Sequence, residues 1–249
     1  MTAGNAPMQN ERDKPDDSPD PPSMEAMAGR DGSKEPLPAH GGTVLEVEPG
    51  PTSSVKRFLD IVGAGLALAV LWPIWLLTVA LIKLDSPGQV LIRQKRVGLG
   101  GTQFTFYKFR TMVDSPQDDL ADRIPQGDLS KRLSPRGRHP NVTTFGWILR
   151  KTTIDEIPQL LNVVKGDMSQ VGPRPDIPEI VAHWPPPFQQ RHKVKPGMTG
   201  LAQVNGRSDL THYEKLHHDL EYVRHHPITR DLGILLKTLT LVLSKKGAR

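Results

Sequence analysis

The residues best suited to chemistry lie in Thr153-Ile-Asp155-Glu156-Ile-Pro158. Thr followed three positions later by Glu is a capping-box pattern, and Pro158 fits only the first turn or so of a helix. Asp155 and Glu156 are therefore expected at, or just inside, a helix N-terminus. Free N–H donors and the positive dipole end favour anions there and would keep Asp155 ionised. The dipole alone also selects acidic residues at such a place. The neighbours point further. Arg150 lies five residues upstream, Arg174 is held between Pro173 and Pro175, and Lys108 and Arg110 come from a β-rich stretch. An arginine between two prolines combines a stiff backbone with a planar donor fork that matches phosphate. A carboxylate nucleophile, a second carboxylate and several cations form a set for phosphoryl transfer. Asp155 and Glu156 would hold Mg²⁺ together with substrate phosphates. Taken singly, each cation reads as a solvated charge or a lipid contact.

Two other stretches carry candidate ligands. Residues 195–207 are Gly-rich and basic and end at Arg207. They read either as a well-formed turn or as a loop whose backbone approaches a phosphate or sugar. His212, His217, His218, His225 and His226 are poorly spaced for zinc and read as a polar helix face. The chain has no cysteine, which excludes disulfides, thiolate nucleophiles and Cys-ligated metal sites.

These residues must be positioned by elements that the hydrophobic pattern outlines. Ile61–Ile82 is an uncharged run of 22 residues, long enough as a helix to reach ~30 Å, the thickness of a bilayer core. Trp72-Pro73 sits at its midpoint, where proline removes a donor and favours a break. Lys56 and Arg57 precede the run, and Lys83, Arg93, Lys95 and Arg96 follow it. A single span carries its positive bias on one side, so basic flanks at both ends suit a helix that enters, breaks near Pro73 and returns to the same face. A straight, kinked span is the alternative. Residues 89–93 and 103–110 read as two strands around the glycines of 98–101, a hairpin. Residues 113–141 read as a long surface loop. Helices are expected over 145–151, 155–165, 176–191, 211–225 and 230–244. The first, with Phe145, Trp147, Ile148 and Leu149 beside Arg150-Lys151, suits a membrane interface.

Charge divides the chain. Residues 1–52 hold ten acidic and four basic residues, nine prolines and no aromatic residue, and read as a disordered acidic tail without the layout of a signal peptide. The rest carries 28 basic against 17 acidic residues, which suits phosphorylated or lipid partners. Interleaved aromatics and groove-reading motifs are lacking, so no nucleic acid is expected.

Several strings together resemble the monotopic phosphoglycosyl transferases, the bacterial sugar transferase family. They are Lys56-Arg57-Phe-Leu-Asp60 before the apolar helix, Gln94-Lys-Arg-Val-Gly98, Phe106-Tyr-Lys-Phe-Arg-Thr-Met112, the Leu149–Asn162 stretch around the dyad, Lys165–Pro175 and Lys195–Arg207. The resemblance runs from about 55 to 244. It implies a helix-rich α/β domain over 53–249 with a small sheet or hairpin, one re-entrant membrane helix at about 58–82, interfacial amphipathic helices and a catalytic body over 90–249. It implies transfer of a sugar-1-phosphate from a nucleoside diphosphate sugar, here a UDP-sugar, to polyprenyl (undecaprenyl) phosphate, with release of UMP and with Mg²⁺. In that reading Asp155 is the nucleophile and Glu156 its partner. Arg150 and Arg174 hold phosphates, joined by Lys108, Arg110 and Arg207, while Lys56 and Arg57 meet lipid headgroups at the cytoplasmic face of a bacterial inner membrane. The chain resembles the minimal form, with Thr144, Phe145 and Trp147 where relatives are often more basic. A homodimer stays open. So do a non-catalytic membrane adaptor and a glycosyltransferase that releases UDP.

Overall fold

The computed structural model describes residues 44–50, 53–113, 140–206 and 209–243. The apolar run becomes one helix of 32 residues, α1 (Ser54–Asp85). The Ser53 hydroxyl accepts from the Lys56 N–H and starts it, and Lys83 in the last turn complements the dipole. Helical backbone runs unbroken through Trp72 and Pro73, where the sequence predicts a break. Pro73 offers no N–H to the carbonyl of Ala69, so one rung of the ladder is missing without ending the helix. By length and composition α1 is able to cross a membrane. Asp60, Ala64, Thr78 and Ile82 are buried along it, and Ala67, Leu71, Trp75 and Val79 pack against the core. Packing on the rest of the protein thus extends over both halves of the helix. Another side exposes Phe58, Leu66, Val70, Trp72, Leu76 and Leu77.

β1 (Leu91–Val97) and β2 (Gln103–Phe109) form the expected antiparallel hairpin, in register from Leu91 opposite Phe109 to Val97 opposite Gln103. Gly100 and Gly101 take positive φ in its turn. Residues 44–50 lie on this turn: the Val47 N–H donates to the Gly100 carbonyl at 3.2 Å, and the Gly50 N–H donates to the Lys193 carbonyl at 2.8 Å. The boundary expected at residue 52 therefore moves upstream. The remainder of the acidic tail, most of the 113–141 loop and Arg207 lie outside the described residues.

α2 (Thr144–Thr152) forms close to its expected place. The helix expected over 155–165 is instead a 3₁₀ turn, Ile154–Glu156, followed by α3 (Gln159–Lys165), which Gly166 stops at φ 97. β3 (Ser169–Val171) comes next. The helix expected over 176–191 breaks into α4 (Pro178–Val181), α5 (Pro186–Gln189) and a 3₁₀ turn, Gln190–Lys193. Pro185, Pro186 and Pro187 supply no N–H donors, so one continuous helix is excluded there. β4 (Gly197–Thr199) pairs in parallel with β3, and α6 (Leu201–Asn205) follows. A Cβ on Gly197 would stand 2.1 Å from the backbone nitrogen of Gly172, so these segments require glycine to meet. α7 (His212–Arg224) and α8 (Ile228–Leu243) close the described chain near their expected bounds.

The main core joins α1, the hairpin, α2 and α3 through Ala64, Ile82, Phe106, Phe109, Leu149, Leu160 and Val163. Trp75 meets Phe109 edge-on, with ring centres 5.1 Å apart. Asp60, on the apolar helix, is buried and accepts from the Ser169 hydroxyl at 3.0 Å and the Gln170 N–H at 2.8 Å. Those bonds offset the cost of a carboxylate in an apolar setting.

Candidate active site

The site is assembled from the end of β2. Just beyond that strand, the Thr111 carbonyl accepts from the Thr143 N–H at 3.1 Å. Gly146, in the first turn of α2, comes so close that a Cβ there would stand 2.2 Å from the Thr111 carbonyl oxygen. Arg150 Nε donates to Thr111 Oγ1 at 2.9 Å. The strand end therefore fixes both α2 and the arginine in its last turn.

α2 stops at Thr153, which adopts φ 61 and donates its N–H to the Leu149 and Arg150 carbonyls. A β-branched residue in the left-handed region stores about 1–3 kcal/mol of strain. The reversal puts Asp155 and Glu156 into the 3₁₀ turn directly after Arg150. The Thr153 side chain caps nothing there, so the expected capping box does not form. Glu156 instead takes the Arg174 fork, with Nη1 to Oε2 at 3.0 Å and Nη2 to Oε1 at 2.5 Å.

Arg174 is braced from behind. The Arg191 guanidinium donates to the Arg174 carbonyl and, at 3.2 Å, to Asp176. Lys215 Nζ donates to Asp176 at 2.6 Å, and Arg191 pairs with Asp219 at 2.9 Å. Burial alone would push Asp176 up, but Lys215, Arg191 and Arg96 hold it far below the usual carboxylate range. Helix α7 thus anchors the Pro173–Asp176 segment through a buried ionic cluster.

The two carboxylates of the dyad differ electrically. Burial, then the charge of Glu156, push Asp155 up to about 7, against the pull of Lys108, Arg174 and Arg150. The expectation that a helix N-terminus keeps Asp155 ionised is corrected: a short 3₁₀ turn does not outweigh burial beside a second carboxylate. Burial would raise Glu156 as well, yet the Arg174 charge and hydrogen bonds bring it below its ordinary value. Glu156 is therefore an ionised partner of Arg174, and Asp155 is the carboxylate that this fork leaves unclaimed.

Of the residues expected here, the structure gathers Asp155, Glu156, Lys108, Arg150 and Arg174. It sends Arg110 elsewhere. Arg110 is buried and donates to the carbonyls of Pro87 and Ser86 and to the Ser86 hydroxyl, clamping the turn after α1. Lys56 Nζ donates to Asp231 at 2.5 Å and to the Val171 carbonyl at 3.1 Å. Arg57 donates to the Val163 and Val164 carbonyls at 2.6 and 2.8 Å, satisfying the open end of α3. Both basic residues thus have protein partners where lipid headgroups were expected. Two contributors were not anticipated. Gln159 is fully buried, three residues after Glu156; its amide makes no hydrogen bond of good geometry, and its nearness favours the ionised Glu156. Its spacing of three from Glu156 was the available signal. Asn162, also fully buried, accepts from the Tyr107 N–H and donates to the Thr105 carbonyl, locking α3 to β2.

Residues 51–245 match the family described as bacterial sugar transferase. The chain belongs to that family. This bacterial sugar transferase is 38% identical, over 218 residues, to the UDP-N-acetylgalactosamine-undecaprenyl-phosphate N-acetylgalactosaminephosphotransferase of Aeromonas hydrophila, covering 84% of this chain and 49% of that protein. It is 38% identical over 201 residues to the UDP-glucose:undecaprenyl-phosphate glucose-1-phosphate transferase of Xanthomonas campestris pv. campestris, covering 78% and 40%. The exopolysaccharide production protein ExoY of Rhizobium meliloti is 34% identical over 200 residues, covering 78% and 87%. The matched region is thus half or less of the first two relatives and most of the third.

Proposed function

We propose that this bacterial sugar transferase moves a sugar-1-phosphate from a UDP-sugar to undecaprenyl phosphate through a covalent aspartyl intermediate. The observation that carries the reading is the division of labour in the dyad: Arg174 claims Glu156, and Asp155 faces the cations of Lys108, Arg150 and Arg174. A carboxylate oxygen of Asp155 attacks the β-phosphorus. The bond from that phosphorus to the bridging oxygen breaks, and UMP leaves with that oxygen. A phosphate oxygen of the lipid then attacks the aspartyl phosphosugar, forming the lipid diphosphosugar and returning Asp155. The three cations offset the charge on the phosphoryl oxygens and align the diphosphate.

Mg²⁺ fits the donor set as an ion that arrives with the diphosphate. Among the described residues no cluster of three or more His, Asp or Glu could hold a metal. Asp155, and Glu156 through the lone pairs that the Arg174 fork leaves open, would be its protein donors beside substrate phosphates and water, and bound there it would neutralise phosphate charge.

The membrane placement is supported by α1. Arg57 and Lys56 tie one end to α3 and α8, and Ile82 packs the other end into the core that takes in Ile154 and Ile157, the residues flanking the dyad. A helix fastened to one body at both ends supports entry and exit on the same face, with a bend at Pro73 rather than the expected break turning it. Ile148 on α2 and Leu232, Leu236 and Leu239 on α8 expose further apolar surface, which supports a seat at the interface. The face would be the cytoplasmic one of a bacterial inner membrane, where UDP-sugars are available. The lack of native cysteine makes a direct labelling test clean: Gly50→Cys and Lys95→Cys should react from one side, and labelling from opposite sides would rule the topology out.

The reaction is tested by product identity. Membranes holding the wild type or Asp155→Ala are given undecaprenyl phosphate, Mg²⁺ and a panel of UDP-sugars, and UMP and UDP are measured separately. UMP with a lipid diphosphosugar, both absent in the variant, is the expected result. UDP would indicate transfer of the sugar alone and remove the role given to Asp155.

A further inference from the structure

A cavity of about 340 Å³ opens where α1 begins, and its lining includes neither Asp155 nor Glu156. Lys56, Arg57, Lys193 and Lys195 line it, with Asp60 as the one carboxylate. Most of this charge already has protein partners. Lys56 bonds Asp231 and the Val171 carbonyl, Arg57 bonds the end of α3, and the Asp60 carboxylate is taken by Ser169 and Gln170. Among the described residues, no hydrogen bond or ion pair engages the Lys195 ammonium. Lys195 Nζ and Arg57 Nη2 both come within 4 Å of where a Cβ on Gly166 would stand, so two cations share one small space.

The walls have a second character. Val171, Val194 and Ile228 add apolar lining. Phe58 and Leu59 on α1, and Leu232 one turn beyond Ile228 on α8, are exposed. A polar ligand with no chain would leave that apolar rim in water, whereas a phosphate attached to acyl or isoprenoid chains matches both parts.

We propose that this cavity binds the phosphate of an anionic lipid, with Lys195 as the cation that the lipid completes. Burial, then the charge of Arg57, hold Lys195 below its ordinary range against the pull of Asp60 and Asp167, and a bound anion would add to that pull. Lys56 and Arg57 shape the cavity and are held by protein, so the unmet charge is supplied by the loop before β4. The inference needs only a seat in the membrane and stands apart from the transfer reaction.

Native mass spectrometry of the full chain, released from nanodiscs, tests it. Wild type, Lys195→Arg and Lys195→Glu are compared in bilayers of phosphatidylcholine doped with phosphatidylglycerol or with undecaprenyl phosphate. Wild type and Lys195→Arg should retain the anionic lipid, and Lys195→Glu should retain about fivefold less or lower, with phosphatidylcholine adducts unchanged. Loss confined to phosphatidylglycerol assigns the site to a bilayer lipid, and loss confined to undecaprenyl phosphate assigns it to the acceptor; either supports the site. Equal retention by all three proteins, or parallel loss of phosphatidylcholine, overturns it. UMP release, measured on the same preparations, reports the transfer reaction separately.

Discussion

Two carboxylate clusters face arginines in this molecule, and they have opposite outcomes. Asp176 is sealed behind Arg174 and receives Lys215 and Arg191, with Asp219 closing the group. Its charge is fully answered by protein. Asp155 stands beside Glu156, whose arginine is already taken, and its carboxyl is pushed up to about 7 by burial and by that neighbour. The residue types are the same; the number of donors per carboxylate differs. A carboxylate that its cations hydrogen-bond directly serves as structure, and one that faces cations whose bonds go elsewhere is available to a phosphorus atom or a metal ion.

The sharpest way to break this contrast is to remove one charge from each cluster. Asp155→Asn should lower UMP release by about 10⁴-fold or more, the scale for loss of a nucleophile, while the thermal midpoint holds or rises. Asp176→Asn should do the reverse first: it leaves Lys215 buried without its carboxylate and Arg191 with Asp219 alone, and costs about 3–5 kcal/mol of stability. Matched activity assays and thermal melts of both variants check the pair. If Asp155→Asn melted early, or Asp176→Asn stayed folded with full stability, the contrast would collapse. A milder cut is Arg174→Lys. Lysine keeps the charge and loses the fork, so Glu156 should rise toward its ordinary value and UMP release should fall by about 10–100-fold.

Much of this division was legible, and the failures have a common cause. The dyad, Arg150, Arg174 and Lys108 stand out because each is a charged residue beside a readable signal: a turn, a helix end, a pair of prolines or a strand. The pattern Thr-x-x-Glu starts two of the described segments, at 153–156 and at 211–214, with different outcomes. At Thr211–Glu214 it forms a full capping box at the start of α7. At Thr153–Glu156 it does not, because Thr153 is spent ending α2 and Arg174, 18 residues on, wins Glu156. Arg110, Lys56 and Arg57 read as ligand-binding cations because a sequence reveals charge but not which carbonyls will lie beside it. The Asp176 cluster joins positions 15 and 39 residues apart, and no local pattern announces it.

Titration separates the clusters by pH. Asp155 must lose its proton to attack, and burial beside Glu156 pushes its carboxyl up to about 7, so kcat/KM for UMP release should fall about tenfold per unit below pH 7. Because its folded value lies above the unfolded one, Asp155 favours the fold at low pH and gives up that contribution as pH rises toward 7. Asp176 has the opposite sign. Its folded value is depressed, so its contribution is present at neutral pH and is lost only as pH falls below the ordinary carboxylate range. Activity should therefore disappear on acidification well before the fold does. Activity and unfolding that declined together would mean that one cluster controls both.

The smallest expected effect tests whether the reversal at Thr153 serves the site or merely occurs beside it. Thr153 holds φ 61 with a branched side chain, a conformation that glycine adopts without strain. Thr153→Gly exchanges that strain for a larger unfolded-state entropy, and the balance should raise stability by about 1 kcal/mol, or about 2–4 °C in Tm. The same exchange frees the hinge between Arg150 and Asp155. If the strained threonine holds the nucleophile at its angle, kcat should drop several-fold while KM for the UDP-sugar stays within about twofold, since Arg174 still grips Glu156. A variant that gains stability and keeps its kcat would show that the strain is incidental. The clamp of Arg174 on Glu156 would then suffice to aim Asp155.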